Sequence, residues 1–350
     1  MSEVIKINAS RQYEIIIGRG LLDSIGELAS NALKSGRIAI LTDNTVDGLY
    51  GERSVISLKN AGFDVCKYVF QAGEKSKNIT TVAAFLDFMA ENMLTRQDAV
   101  LALGGGVTGD MAGFAAAIYL RGIEFIQVPT SLLAAVDSSV GGKTGVDIAA
   151  GKNLVGAFWQ PTLVVCDTEL FETLTSDILL DGISESLKMG ATLDEAHFKN
   201  VADDTQNERL TAIVKRSVQL KAQIVEADER ETGVRKLLNF GHTMGHAIEK
   251  YYNYDMSHGK AVAVGMAMIT KASEARGLTK KGTYGRLIAA LEGRGLPTAC
   301  GAPTEALCKY ALADKKAAGG NISLIILEEI GKGIIYDIPT EKLSEFLNGC

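Results

Sequence analysis

Short apolar runs and amphipathic stretches take turns through roughly the first 165 residues, and this alternation restricts the fold more than any other feature of the chain. The runs "RIAILTD", "FDVCKYVF", "DAVLALGGG" and "FIQVPTS" read as buried strands, and "ITTVAAFLDFMAENM" between two of them reads as a helix. Such an order predicts a mostly parallel sheet covered by helices, a Rossmann-like α/β domain over residues 1–165. Beyond "FWQPTLVVCDTELFETL" the segments lengthen and turn helical, as in "RLTAIVKRSVQLKAQIVEADE", "FGHTMGHAIEKYY" and "GKAVAVGMAMITKASEARG". A second, mostly α-helical domain is therefore expected over residues 166–350, and 350 residues suffice for two separate cores.

Charge and patterning exclude several classes of function. A net charge of -6 provides no field for polyanions, so a nucleic acid is not an expected partner. No apolar run reaches the length of a membrane span. The opening "MSEVIKINASRQYEIIIG" alternates like a strand and lacks the pattern of a signal peptide. The five cysteines are scattered without a C-x-x-C pair, which fits a reduced cytoplasm. The large apolar share is compatible with a homodimer.

A glycine turn stands about a hundred residues into the chain. "DAVLAL" is strand-like, "GGGVTGD" is the turn and "MAGFAAAIYL" is an alanine-rich helix, the setting in which backbone N–H groups meet a phosphate. Tight packing is the alternative explanation of Gly104, Gly105 and Gly106. The turn also departs from the standard dinucleotide fingerprint, because it does not follow the first strand and no acidic residue closes a strand some twenty residues later. The better ribose partner lies upstream at Asp43, whose alternative role is a helix cap, and "AGEKSK" then adds Glu74 and Lys77.

Three of the four histidines fall between positions 242 and 258, in "NFGHTMGHAIE" and "YDMSHGKA". His242 and His246 are four apart and would share a helix face, where one metal, or a metal and a substrate, could bridge them. Catalytic zinc sites commonly use three nitrogen or carboxylate ligands, so further groups must come from elsewhere. Glu185, Glu249 and Asp255 are the carboxylates to consider, and spacing does not choose among them. Ordinary hydrogen-bonded histidines are the alternative. His197, in the polar "DEAHFKN", is expected to be exposed.

The segment "QVPTSLLAAVDSSVGGKTGVDIAAGKNLVGAFWQP" places Thr130, Ser131, Asp137, Lys143, Lys152 and Asn153 in what should be loops and helix starts. Lys143 is like a phosphate-loop lysine, although position 137 holds Asp and the full spacing is absent. With Arg121, Lys188, Lys221 and Arg235, these lysines could form a cationic pocket for a small, multiply anionic substrate.

Taken together, "GGGVTGDMAGFAAAIYLRGI", "QVPTSLLAAVDSSVGGKTGVD", "GKNLVGAFWQP", "ADERETGVRKLLNFGHTMGHAIE" and "DKKAAGGNISLIIL" resemble the 3-dehydroquinate synthases of the shikimate pathway, within the sugar phosphate cyclases, along nearly the whole length. The resemblance implies an NAD-dependent lyase that requires zinc or cobalt, with a Rossmann-like domain, a helical domain and a cleft between them. It implies Glu185, His242 and His258 as metal ligands and His246 as a proton-handling or substrate residue, in place of a metal shared by His242 and His246. Cofactor contacts are implied for Asp43, Glu74, Lys77, Gly105, Gly106, Asp110, Thr130, Ser131, Lys143 and Lys152. Substrate contacts are implied for Arg121, Asp137, Lys143, Asn153, Lys188, Lys221, Arg235 and Asn239, and for one of Lys315 and Lys316. Arg235 and Asn239 suit a substrate carboxylate, which separates the keto-acid reaction from that of a cyclase using a neutral sugar phosphate; a metal-dependent polyol dehydrogenase is the other rival. The chain departs from the pattern in "LTSDILLDGISESLK", where the family usually shows a proline, an Arg-Glu pair and "AEVIK".

Overall fold

Strands β1 (Glu3–Asn8) and β2 (Gln12–Gly18) form an antiparallel hairpin, and β2 then pairs in parallel with a strand formed much later in the chain, β9 (Leu163–Asp167). The computed structural model describes residues 2–34, 36–313 and 320–348. The chain divides into two compact units, residues 1–174 and 175–350. The division follows β9 and its 3-10 turn Thr168–Thr173, so both belong to the first unit, later than a boundary at 165.

In the first unit, α1 (Ile25–Ala32) leads to β3 (Arg37–Asp43), α2 (Asn44–Val46), α3 (Glu52–Asn60), β4 (Asp64–Phe70) and α4 (Ile79–Glu91). Then come β5 (Ala99–Gly104), α5 (Gly106–Ile118), β6 (Glu124–Pro129) and a hairpin of β7 (Lys143–Ile148) and β8 (Gly151–Phe158). The seven-stranded sheet has the order β1-β2-β9-β6-β5-β3-β4, and only the β1–β2 pairing is antiparallel. Side-chain alternation explains why these apolar runs form strands with two buried faces. On β3 and β5, Ile38, Ile40, Ala99, Leu101 and Leu103 face one core with Leu22, Ile25 and Leu58. Ala39, Leu41, Val100 and Ala102 face the other with Phe85, Met111 and Phe125.

After β3 the chain adds β4 on one side and then returns to place β5 on the other. The order of the strands therefore reverses between β3 and β5. In parallel α/β sheets, ligands bind beyond the carboxyl ends of the strands at such a point.

The second unit contains α6 (Ser176–Leu193), α7 (Glu195–Asp203), α8 (Leu210–Ala227), α9 (His242–Tyr251), α10 (His258–Ala275), α11 (Thr283–Gly293) and α12 (Thr304–Ala313). A hairpin of β10 (Asn321–Glu329) and β11 (Lys332–Pro339) follows, and α13 (Leu343–Asn348) ends the described chain. Among the described residues, no helix is long and apolar enough to cross a membrane.

The centre of this unit is α10, which packs on α6, α9 and α11. Close approach to α9 depends on missing side chains: a Cβ on Gly265 would lie 2.1 Å from the carbonyl oxygen of Gly241 and 2.9 Å from the nitrogen of Gly245. Gly241 itself has φ +78, a conformation that glycine adopts without strain. His197 is only 2 % exposed, which corrects the expectation of a surface residue. Its Nε2 lies 3.0 Å from Ser217 Oγ, whose hydroxyl continues to Ser186 Oγ on α6 at 3.3 Å. Burial, moderated by Asp194 and reinforced by Arg216, lowers the imidazole from its ordinary 6.5 to about 4. A neutral His197 can satisfy its buried hydrogen bond without desolvating a charge.

Candidate active site

Helix α6 carries the carboxylate of the second unit's candidate cluster. From Gly182 to Thr192 every residue of this helix is buried, including Glu185 at 0 % and Lys188 at 1 % exposure. One turn apart, Lys188 Nζ donates to Glu185 Oε2. The other oxygen, Oε1, stands 3.7 Å from His242 Nε2 and 3.6 Å from His258 Nε2. Both histidines begin helices, His242 opening α9 and His258 opening α10, so the three side chains converge from three elements.

The far nitrogen of each ring is engaged. His242 Nδ1 lies 3.2 Å from the carbonyl oxygen of Phe240, which can only accept, so Nδ1 holds the proton and Nε2 is left with its lone pair. His258 Nδ1 lies 3.4 Å from Glu249 Oε2, a carboxylate that is itself buried. Two imidazole Nε2 atoms and one carboxylate oxygen are therefore turned toward one another. Ligands ~2.1 Å from a shared tetrahedral ion lie roughly 3.4 Å apart, close to the separations found. Burial and the neighbouring Lys188 hold His242 well below its ordinary value, the form a metal requires. Burial would also lower His258, but the neighbouring carboxylates of Glu185 and Glu249 outweigh this and raise it to about 10. The donor set suits zinc or cobalt.

Among the described residues, two groups have ligand atoms within 4.8 Å of one another: Glu185, His242 and His258, and His246, Glu249 and His258. Neither contains both His242 and His246, so the shared helix face does not make them a chelating pair. His246 is exposed, with its ring 5.4 Å from that of His242 and 6.0 Å from that of His258. Sequence reasoning named Glu249 only as an alternative ligand; its contact is with Nδ1 of His258, the nitrogen turned away from Glu185.

The cationic candidates of this unit lie on elements that pack against α6. Lys221, on α8, is 5 % exposed, and Arg235 and Asn239 belong to the 3-10 turn Val234–Asn239. Asp228 organises that turn by accepting from the backbone N–H groups of Thr232 at 3.0 Å, Gly233 at 2.7 Å and Arg235 at 3.0 Å. Burial acts against its ionisation, but these backbone donors lower its carboxyl to about 2. The Arg235 guanidinium, 2 % exposed as a residue, donates to the carbonyl of Glu229, and Asn239 donates to Glu231. Lys315 and Lys316 lie outside the described residues.

In the first unit, Asp43, Gly105, Gly106 and Thr130 lie at or just beyond the carboxyl ends of β3, β5 and β6, whereas Arg121 follows the far end of α5, next to Leu120, whose carbonyl accepts from Arg96 ahead of β5. Asp43 ends β3 and caps α2, accepting from the N–H groups of Thr45 at 2.9 Å and Val46 at 3.0 Å. Gly105 is the N-cap of α5 and Gly106 its first residue, so the helix's first amides lie beyond β5. A Cβ on Gly105 would lie 3.4 Å from Ser131 Oγ, and one on Gly106 would lie 3.1 Å from Ser138 Oγ. Thr130 donates its N–H to the carbonyl of Gly104 at 3.0 Å.

Buried Lys77 pairs with Asp110 at 2.7 Å and donates to Asn153 Oδ1 at 2.6 Å, while Lys152 lies 3.5 Å from Glu74. Burial would lower Lys77, but Asp110 and then Glu74 more than compensate and raise it. Asp137 lies in the π-helical turn Ala134–Ser138, and Arg121 is exposed with φ 68. The expectation of loops and helix starts needs correction for three residues: Lys143 opens β7, and Lys152 and Asn153 lie in β8. Glycine-rich sequence there allows two strands to meet closely, since a Cβ on Gly156 would lie 2.0 Å from the carbonyl oxygen of Thr144.

The 3-dehydroquinate synthase N-terminal family matches residues 67–181, and the 3-dehydroquinate synthase C-terminal family matches residues 182–317. The 3-dehydroquinate synthase of Clostridium acetobutylicum is 42% identical over 341 residues, covering 96% of each chain. That of Enterococcus faecalis strain OG1RF is 42% identical over 97% of this chain and 96% of its own. Among solved structures, 2-deoxy-scyllo-inosose synthase complexed with carbaglucose-6-phosphate, NAD+ and Co2+ aligns with a TM-score of 0.90 at 25% identity, covering 99% of this chain and 100% of its own. The 2-epi-5-epi-valiolone synthase of Streptomyces hygroscopicus subsp. jinggangensis 5008, with NAD+ and Zn2+ bound, aligns with a TM-score of 0.85 at 26% identity over 99% of this chain and 98% of its own. Matches of this identity and coverage span both units and the residues that build the cluster: the chain belongs to the 3-dehydroquinate synthase family.

Proposed function

We propose that Glu185, His242 and His258 hold the divalent ion of a 3-dehydroquinate synthase reaction, with His246 exchanging protons at the exposed edge of the same cluster. The activity is conversion of 3-deoxy-D-arabino-heptulosonate 7-phosphate to 3-dehydroquinate and phosphate, a step of the shikimate pathway toward the aromatic amino acids. It is a carbon–oxygen lyase reaction in which an oxidation is later reversed, phosphate is eliminated and an aldol step closes the ring. When bound, NAD supplies a hydride acceptor that is restored within each turnover, and zinc or cobalt supplies a Lewis acid for substrate oxygens.

The observation that carries the assignment is the convergence of one carboxylate oxygen and two Nε2 atoms, each imidazole held by its other nitrogen. Lys188 and Lys221 offer point charges for phosphate, and Arg235 offers a planar fork for a carboxylate. Asn239 adds a neutral donor. Buried cations of this kind bind an anion without first giving up much bulk water, which strengthens each contact. His246 has the solvent access that proton exchange needs and is adjacent to the ligands without joining their group.

In the first unit, Asp43, Glu74, Lys77, Gly105, Gly106, Asp110, Thr130, Ser131, Lys143 and Lys152 are proposed to receive NAD. Support comes from the strand-order reversal beside β3 and β5 and from the amides at the start of α5. Arg121, Asp137, Lys143 and Asn153 are that unit's proposed contributors to substrate binding. A homodimer and a cytoplasmic location belong to the same proposal, on the grounds of the apolar composition and scattered cysteines.

A phosphate-release assay with catalytic amounts of NAD tests the reading. Release is expected from the heptulosonate phosphate and not from glucose 6-phosphate, should stop with chelator, and should return with zinc or cobalt. Net NADH accumulation in proportion to product would instead identify a dehydrogenase.

A further inference from the structure

In the segment where the sequence departs from the pattern of its relatives, Asp181 and Ser184 precede the carboxylate ligand Glu185 on α6. We propose that Asp181, assisted by Ser184, is a positioning residue that fixes the start of α10 and thereby sets His258 opposite Glu185. The inference rests on the reading of Glu185, His242 and His258 as a metal centre.

Ser257 is the N-cap of α10, yet its side chain makes no capping bond within its own helix. Its hydroxyl instead donates to Asp181 Oδ1 at 2.7 Å, and the same oxygen accepts the N–H of Gly259 at 2.8 Å. That N–H is one of the first four of α10, which no helix can satisfy internally. The cap of α10 is thus supplied by another helix. Ser184 secures the other side of the same residue by donating its hydroxyl to the Gly259 carbonyl at 2.7 Å.

His258 lies between Ser257 and Gly259, so the chain is fastened to α6 on both sides of it, through the Ser257 side chain and through the Gly259 backbone. On α6, Asp181 lies one turn before Glu185 and Ser184 immediately before it. The two helices meet backbone to backbone: a Cβ on Gly259 would lie 2.4 Å from Asp181 Cα and 2.9 Å from its carbonyl oxygen. Contacts this short leave little freedom to slide. The 3.6 Å between Glu185 Oε1 and His258 Nε2 is therefore set by the same bonds that cap α10.

The test uses the full-length, metal-free protein titrated with Co2+ alone, read by the visible bands of the bound ion and by competition with a chelator. Asp181→Ala is expected to weaken Co2+ binding by about tenfold or more, the usual effect of losing a group that orients a ligand. Asp181→Asn keeps an oxygen that can accept both bonds, so it should bind close to the native protein. Ser184→Ala should weaken binding less than Asp181→Ala. If Asp181→Ala does not fold, as judged by far-UV circular dichroism without metal, Ser257→Ala and Ser184→Ala carry the test.

His258→Ala separates the two possible failures. Native Co2+ affinity in Asp181→Ala, with loss in His258→Ala, would overturn the positioning role alone. Asp181→Asn as impaired as Asp181→Ala would overturn it too, because charge and not placement would then matter. Native affinity in His258→Ala would overturn the metal-centre reading itself.

Discussion

His197 makes a specific demand on the acid stability of the second unit. Its imidazole is 2 % exposed, bonded to Ser217 and lowered from 6.5 to about 4, chiefly by burial. Above pH 6.5 neither the folded nor the unfolded state carries the proton, so the group adds no pH dependence. As pH falls from 6.5 to 4, the unfolded chain takes up a proton that the folded chain refuses, and stability is lost through this window. Below 4 both states are protonated and the loss is complete. The full difference corresponds to about 3 kcal/mol.

Asp194 and Arg216 act on the ring through their charges and keep or titrate those charges in any variant, so their effects largely cancel when His197→Gln is compared with the native protein. All four histidines lie in the second unit, and their ring proton resonances report its unfolding separately from that of the first. Urea unfolding of metal-free protein should be followed by these resonances at several pH values between 7 and 4. His197→Gln is expected to lose less stability than the native protein across that interval, by about 3 kcal/mol. Parallel curves for the two proteins, or a His197 ring that titrates near 6.5, would refute the argument.

Two further substitutions probe the cluster's support. Gly265→Ala places a methyl group 2.1 Å from the Gly241 carbonyl oxygen, so α9 must shift; a cost of about 1–3 kcal/mol is expected as a lowered melting temperature of the metal-free protein, and an unchanged one would contradict the close packing. Glu249→Ala removes the acceptor at His258 Nδ1 and is expected to weaken Co2+ binding by about 10–100-fold in chelator competition, whereas unaltered affinity would exclude Glu249 from orienting the ring.

The sequence made the first unit legible because a strand buried on both faces must be almost wholly apolar. "RIAILTD" became β3 and "DAVLALGGG" became β5 with its glycine turn, as expected. The polar hairpin β7–β8 was not legible as strands, since its glycines serve backbone approach and read as loop signals. In the second unit, "NISLIILEEIGKGIIYDIP" forms β10 and β11 within a region expected to be mostly helical. Its alternation is weak along the buried run, and Gly331, with φ +90, marks the turn only in retrospect. His197 was misjudged because its sequence neighbours are polar, while its environment is formed by Ser217, 20 positions away.

The same contrast applies to the proposed metal site. Imidazoles and carboxylates advertise themselves by residue type, so ligands can be nominated from a sequence motif. Their placement depends instead on backbone groups that any residue possesses. His242 keeps its tautomer through a carbonyl at Phe240, α9 approaches α10 through Gly241 and Gly265, and α10 begins where Asp181 accepts the N–H of Gly259. A tetrahedral ion tolerates only small errors in ligand position. The geometry of the proposed site is thus a property of two helix starts, those of α9 and α10, and of the bonds that fasten them to α6, and substitutions far from any donor atom should weaken the site as effectively as loss of an orienting carboxylate.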